Sequence, residues 1–268
     1  MTADRVRTPV LCVDVDAVTF DGALRRLTGV LDGAPGDKGA EPFCVYTPNP
    51  EMIMRARADK AFARALNGGD LVVPDGIGVV LASRLTAMSG APALTERVPG
   101  CDLAQALMAR EKGLSVYLLG AKPGVCEAAK RNLESRFPRI KIAGFRHGYF
   151  KDGDDAERAV IDEIRALAPD LLLAGLGSPR QELWISAHRR ELPVKVIMGV
   201  GGSLDVFAGA VRRAPAAFRR LGLEWFYRLI TQPARALRMR RLPAFMLLVI
   251  LKALGMMFKE LSRNKLDR

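Results

Sequence analysis

The chain has 268 residues, about half of them apolar, and a formal net charge of +12. That length suits one large domain, or a domain with an appendage, and enough apolar residues are present for a sizeable core. Cys12, Cys44, Cys101 and Cys126 form no CxxC pair, which argues against a disulfide framework or a cysteine zinc site and suits reduced thiols in the cytosol.

Met1–Pro9 carries Arg5 and Arg7 but no apolar run follows, so no signal peptide is expected. Leu11–Val15 alternates as a short strand, Asp21–Leu31 reads as a helix, and Gly33–Pro42 as a loop. Phe43–Tyr46 is a strand, followed by Thr47-Pro48-Asn49-Pro50 and a helix to about Asn67. Leu71–Val73 is a buried strand that runs into Pro74-Asp75-Gly76-Ile77-Gly78 and a helix over Val79–Leu85. Gly100–Lys112 is helical, Ser115–Leu119 a strand, Pro123–Arg136 a helix, Ile140–Phe145 a strand and Ala156–Ala166 a helix. Asp170–Ala174, a helix over Pro179–Glu191 and the strand Val194–Met198 complete the series. Strands alternating with helices at this spacing give an α/β fold with a Rossmann-like, doubly wound, mostly parallel sheet.

In such sheets the carboxyl ends of the strands form the ligand crevice, so Asp75 points at the mouth of a site. Its plain alternative is a helix cap. Three later strand ends are rich in glycine: Gly120-Ala121-Lys122-Pro123-Gly124, Gly175-Leu176-Gly177-Ser178-Pro179 and Gly199-Val200-Gly201-Gly202-Ser203. Glycine admits a phosphate close to backbone N–H groups, and the helix that follows turns its positive end toward it. None of the three has the GxGxxG or GxxxxGK[ST] spacing, which argues against a dinucleotide cofactor or a hydrolysed ATP. Asp14-Val15-Asp16 has the form of a metal-holding DxD pair, but lies away from the glycine turns and reads as a strand end facing solvent. Asp152–Asp155 reads as a solvated loop. His147 and His188 lack a third ligand at useful spacing, so no metal site is expected.

Charge divides the chain. Through Val211 there are 27 basic and 26 acidic residues; from Arg212 onward, 14 basic residues face three acidic ones. The expected organisation is a nearly neutral α/β body over 1–211 and a basic helical appendage over 212–268, whose charge calls for an anionic partner. Pro233 interrupts the helical pattern, placing Arg228 before the break and Arg235 and Arg238 on one face after it. Leu242–Phe258 is apolar except for Lys252. Its 17 residues would span about 25 Å as a helix, short of a ~30 Å hydrocarbon core. It therefore suits the membrane interface, with burial at a homo-oligomer contact as the alternative.

Ordered motifs now align with a known family. Thr47-Pro48-Asn49-Pro50-Glu51-Met52, Pro74–Val79, Glu96-Arg97-Val98-Pro99-Gly100, His147–Phe150, Gly175–Glu182, Val200–Asp205, Arg213-Ala214-Pro215 and Gly222–Leu229 together resemble the WecG/TagA/CpsF family of bacterial glycosyltransferases. The resemblance covers roughly Phe43 to Arg241. It departs at Pro99, Arg180 and Leu204, where Thr, Lys and Phe are usual.

The resemblance implies an inverting, metal-independent transfer from a UDP-sugar to a sugar on polyprenyl diphosphate, at the cytoplasmic face of the inner membrane and without a cofactor. Asp75 matches the family's proposed base, and a helix start favours the ionised form a base needs. Thr47, Asn49 and Gln181 match donor-sugar contacts, although Asn49 before Pro50 is also an ordinary helix start and Gln181 an ordinary solvated helix residue. Gly120, Gly175, Gly177, Gly201, Gly202 and Asp205 would hold the nucleotide, with a helix cap as the other use of Asp205. Arg228, Arg235 and Arg238 would neutralise diphosphate, which suits the planar two-donor fork of arginine. Arg97 either joins them or pairs with a carboxylate. An anionic membrane surface would be a further partner. The competing reading is a nucleotide-sensing or nucleic-acid-binding protein gripping phosphate with its basic tail; the apolar run in the tail and its want of stacking aromatics argue for no nucleic acid.

Overall fold

The computed structural model describes residues 5–33, 41–87, 91–110, 112–231 and 241–266. Six parallel strands form one sheet, in the order β4 (Leu71–Val72), β3 (Phe43–Tyr46), β8 (Val196–Gly199), β7 (Leu171–Gly175), β5 (Leu114–Gly120) and β6 (Ile140–Arg146). Cys44 and Val45 register with Ile197 and Met198, and Leu172 and Leu173 with those same two residues from the other side. The central strands are buried on both faces, and so read as near-continuous apolar runs in the sequence.

Helices cover both faces. On one side, α1 (Phe20–Asp32), α5 (Gly100–Met108), α6 (Val125–Arg136) and α9 (Ser203–Phe207) close a core around Val45, Leu118, Leu173 and Met198. On the other, α2 (Pro50–Ala58), α3 (Lys60–Asn67), α4 (Ile77–Leu85), α7 (Asp155–Leu167) and α8 (Arg180–His188) pack around Cys44, Tyr46, Tyr117 and Leu172. This is a three-layer, Rossmann-like α/β fold.

Two local expectations change. The helix expected through Asn67 is two helices, because Asp59 is extended and its side chain accepts the Phe62 N–H (3.0 Å), ending α2 and capping α3. The strand expected over Leu11–Val15 is instead a hairpin, β1 (Arg7–Val10) paired antiparallel with β2 (Val13–Asp16), turning at Leu11 with φ 57°.

That hairpin corrects the reading of Asp16 as a solvent-facing residue. Asp16 is 2% exposed and binds Arg5 through both oxygens (2.6 and 2.8 Å), while its Oδ2 accepts the Val72 N–H at 2.6 Å. Its lone pairs pin the hairpin to the edge strand β4. Asp16→Ala takes the anion from Arg5 and leaves the buried Val72 N–H without its acceptor, so a loss of about 1–3 kcal/mol is expected. Urea denaturation measures it, and a loss below about 1 kcal/mol contradicts the role.

Beyond β8 the chain forms α10 (Ala216–Arg220) and α11 (Glu224–Thr231), then the long α12 (Arg241–Leu266). α12 lies against α2 and α4 and sends Phe245 and Val249 into the core. Leu247, Ile250, Leu251, Leu254, Met257 and Phe258 remain exposed on it.

Candidate active site

Because all six strands run the same way, the loops after them emerge along one edge of the sheet. Neighbouring strands stand ~4.8 Å apart, so the row from β4 to β7, three steps, measures about 14 Å. Asp75 follows β4, Thr47 and Asn49 follow β3, Gly201 and Gly202 follow β8, and Gly177 follows β7. Gly120 and His147 continue the row after β5 and β6.

The β3 and β4 ends are tied together by backbone. Asp75 N–H donates to the Pro48 carbonyl (3.1 Å) and Val98 N–H to the Pro74 carbonyl (2.8 Å). Gly100 is needed where α5 begins, since a Cβ there would stand 2.8 Å from Thr47 Cγ2. Asp75 is half-buried, and the N-cap position of α4 belongs to Gly76, at φ 111°, so Asp75 stands one residue ahead of it. Asn49 caps α2 by accepting the Met52 N–H (3.0 Å), with Pro50 as the first helical residue. Its capping role is thus present, and Thr47 lies between it and the sheet.

The glycine turns serve first to bring backbone against backbone. A Cβ on Gly120 (φ 138°) would stand 2.3 Å from the Gly175 carbonyl oxygen, and one on Gly175 would stand 2.7 Å from that of Gly201. Gly177 (φ 79°) and Gly201 (φ 51°) differ, for no atom comes within 4 Å of a Cβ built on either. At these two positions the missing side chain leaves free space. Asp205 is half-buried in the first turn of α9, whose N-cap position is Gly202, so it is not the cap.

Gln181 is a solvated helix residue neither in place nor in bonding. It is buried, its Oε1 accepts the Gly201 N–H (2.9 Å), and its Nε2 donates to Glu182 Oε1 (2.7 Å). Glu182 is 1% exposed, and burial pushes its carboxyl up to about 7. Sequence reasoning passed over Glu182 and Arg55, whose Nη1 donates to the Ser178 carbonyl (2.7 Å) and joins α2 to the β7–α8 turn.

The first part of the basic tail folds over the Asp75 end of the row. Arg213 Nη1 lies 2.5 Å from Asp102 Oδ1 on α5, and Gly222 packs on Ile77 at the start of α4. Arg97 donates to the Arg219 carbonyl and lies 3.9 Å from Glu224 Oε2. Arg97 thus has a carboxylate neighbour, the second of its two expected uses. Arg228 lies on α11, but its side chain is outside the described residues, as are Arg235 and Arg238 entirely.

Two cavities open elsewhere, one of about 440 Å³ beside α2 and α3 and one of about 350 Å³ between α5, α6 and α9. Neither is lined by Asp75 or the glycine turns. Among the described residues no group of three or more His, Cys, Asp or Glu is placed to hold a metal. Asp152 pairs with Arg180 (2.9 Å) and Asp154 caps α7, so the acidic loop is partly structural.

Comparison with known proteins identifies the family. Residues 8–258 match the Glycosyl transferase WecG/TagA/CpsF family. The chain is 40% identical over 232 residues to an N-acetylglucosaminyldiphosphoundecaprenol N-acetyl-beta-D-mannosaminyltransferase of Bacillus spizizenii, covering 86% of this chain and 87% of that protein. A Staphylococcus aureus protein of the same name is 36% identical over 237 residues, covering 87% of this chain and 90% of its own. The chain belongs to the WecG/TagA/CpsF family and is a glycosyltransferase of polysaccharide assembly.

Proposed function

We propose that the protein moves a sugar from a UDP-sugar to a sugar carried on polyprenyl diphosphate, inverting the anomeric centre without a metal. The observation that carries this reading is the strand-end row, with a carboxylate at one end, open glycine turns toward the other, and the tail packed against the start of α4 two residues beyond that carboxylate. The names of the relatives favour N-acetylmannosamine as the sugar moved and diphosphate-linked N-acetylglucosamine as the acceptor.

In this reading the diphosphate lies along the turns at Gly177 and Gly201, where the missing side chains leave room for phosphate oxygens and the start of α8 favours negative charge. Thr47 and Asn49 then stand beside the sugar. Asp75 takes the proton of the acceptor hydroxyl as its oxygen attacks C1 from the side opposite UDP. The C1–O bond to UDP breaks as the new one forms, and the charge left on UDP is met by the turns and by Arg228, Arg235 and Arg238 of the tail.

The acceptor's lipid calls for a membrane nearby. Peripheral attachment at the cytoplasmic face is the form proposed, with Arg241–Phe258 of α12, apolar and mostly exposed, as the attaching surface. By length and composition alone that segment could cross a membrane. Its docked face, however, holds Phe245 and Val249 in the core, so crossing would strip a layer from the fold. Basic residues at both ends suit anionic headgroups, at ~1 kcal/mol per charge.

The test is a donor screen in which UDP release is followed with a panel of UDP-sugars and N-acetylglucosaminyl-diphosphoryl polyprenol. UDP-N-acetylmannosamine should be turned over at an undiminished rate in excess EDTA. Absence of UDP release from every donor contradicts the reading, and a rate abolished by EDTA contradicts its metal independence.

A further inference from the structure

Beneath the row of strand ends lies a buried polar chain for which the reaction above has no use. Glu182 Oε1 accepts the Gln181 Nε2–H (2.7 Å), and Gln181 Oε1 accepts the Gly201 N–H (2.9 Å). Gly201 N–H can only donate, so the Gln181 amide must turn its oxygen there and its NH2 toward Glu182. The fit is tight: a Cβ on Gly199 would stand 2.4 Å from Gln181 Nε2, so the amide lies directly against the end of β8. The Glu182 main chain is anchored separately, its carbonyl accepting the Tyr46 hydroxyl at 3.5 Å. Glu182 Oε2 and Ser178 Oγ are both buried, and Ser178 is among the groups that bear on the carboxyl.

We propose that Glu182 is a positioning residue: through the Gln181 amide it fixes the β8–α9 glycine turn in the conformation that receives the donor's diphosphate. This rests on the proposed UDP-sugar reaction and adds to it a residue that touches neither substrate.

The chain of bonds carries a proton signature. Oε1 must stay an acceptor in either protonation state, so a proton on Glu182 sits on Oε2. With the carboxyl near 7, both states are populated at neutral pH. The charged groups around it are few. Arg55 comes from α2, and Tyr46, from β3, is held un-ionised by burial. α3 presents only the exposed Lys60 and Arg64, and β8 offers no titratable side chain over Val196–Gly199. On α8 and the turn after it, Arg180 is bound to Asp152, and His188 to Glu157 and Glu191. A negative Glu182 beneath the turn opposes the incoming diphosphate, whereas a neutral one does not. Donor affinity is therefore expected to fall as pH rises from 6 to 8.

Steady-state kinetics of the full chain with UDP-N-acetylmannosamine test this, because an esterified diphosphate has no titration of its own in that range. Wild type should show a donor KM rising several-fold between pH 6 and 8. Glu182→Ala should raise donor KM at least tenfold at pH 6 with a much smaller change in kcat. Adding Glu182→Ala to Gln181→Ala should cost no more than Gln181→Ala alone, the mark of action through Gln181. Glu182→Gln keeps an oxygen facing Gln181, so it should recover most of the affinity and show a flat pH profile. If Glu182→Ala fails to fold, the profile of Glu182→Gln decides. A wild-type-like pH dependence in Glu182→Gln, or a fall in kcat at unchanged KM in Glu182→Ala, overturns the proposal. Absence of wild-type turnover at every pH instead overturns the glycosyltransferase reaction as written.

Discussion

Asp75→Asn should lower kcat by about 10²–10⁴-fold, the usual contribution of a positioned base, and leave the affinity for UDP within a few-fold of wild type. Asn matches Asp in size but cannot take a proton. The turn that carries residue 75 is held by backbone, through the Asp75 N–H to Pro48 and the Val98 N–H to Pro74, so replacing the side chain leaves it in place. Asp75 is also half-buried at the surface of the crevice and is no part of the core. A loss of turnover in a variant that still folds and binds UDP is therefore the expected pattern, measured by UDP release beside a thermal melt. A kcat within fivefold of wild type removes Asp75 from the mechanism.

The second large effect is expected on α12. Leu247, Leu251 and Leu254 are 58%, 55% and 42% exposed and lie off the docked face marked by Phe245 and Val249. Burying a leucine is worth ~1.5–3 kcal/mol, so converting all three to Glu should weaken attachment to vesicles of anionic phospholipid by about 10³-fold or more. Turnover should collapse with a long polyprenyl acceptor in vesicles and persist with a short, water-soluble one. Sedimentation with vesicles and the two activity assays check this. Unchanged vesicle binding, with the triple variant instead shifted to a smaller oligomer, assigns the face to a partner subunit.

The parallel sheet was legible because its central strands are buried on both faces and so announce themselves as apolar runs bounded by glycine and proline. Phe43–Tyr46 is found where the sequence places it. The hairpin at the start was not legible, since its turn needs Leu11 in a left-handed conformation that nothing about leucine advertises. The break at Asp59 was concealed for a different reason, as apolar periodicity runs through it and only the capping geometry ends α2.

At the site, the residues carried by strand ends were legible by motif, and their surroundings were not. Gln181 looks like any polar residue near a helix start until β8 brings Gly199 and Gly201 against it. Arg97 meets the Arg219 carbonyl 122 positions away, and Asp16 meets Val72 56 positions away. These bonds are set by tertiary packing, which periodicity and spacing do not encode. The glycine turns show a mixed case: the sequence pointed to a ligand, yet Gly120 is needed by Gly175 and Gly175 by Gly201 and Leu204, while Gly124, Gly177 and Gly201 stand open.

Hydrogen exchange of the full chain with and without UDP tests the location of the nucleotide most directly. Protection concentrated in residues 175–181 and 199–205, at the ends of β7 and β8, is the result expected. Protection centred instead on the cavity beside Cys12 and Arg64, with the strand-end turns unchanged, contradicts it.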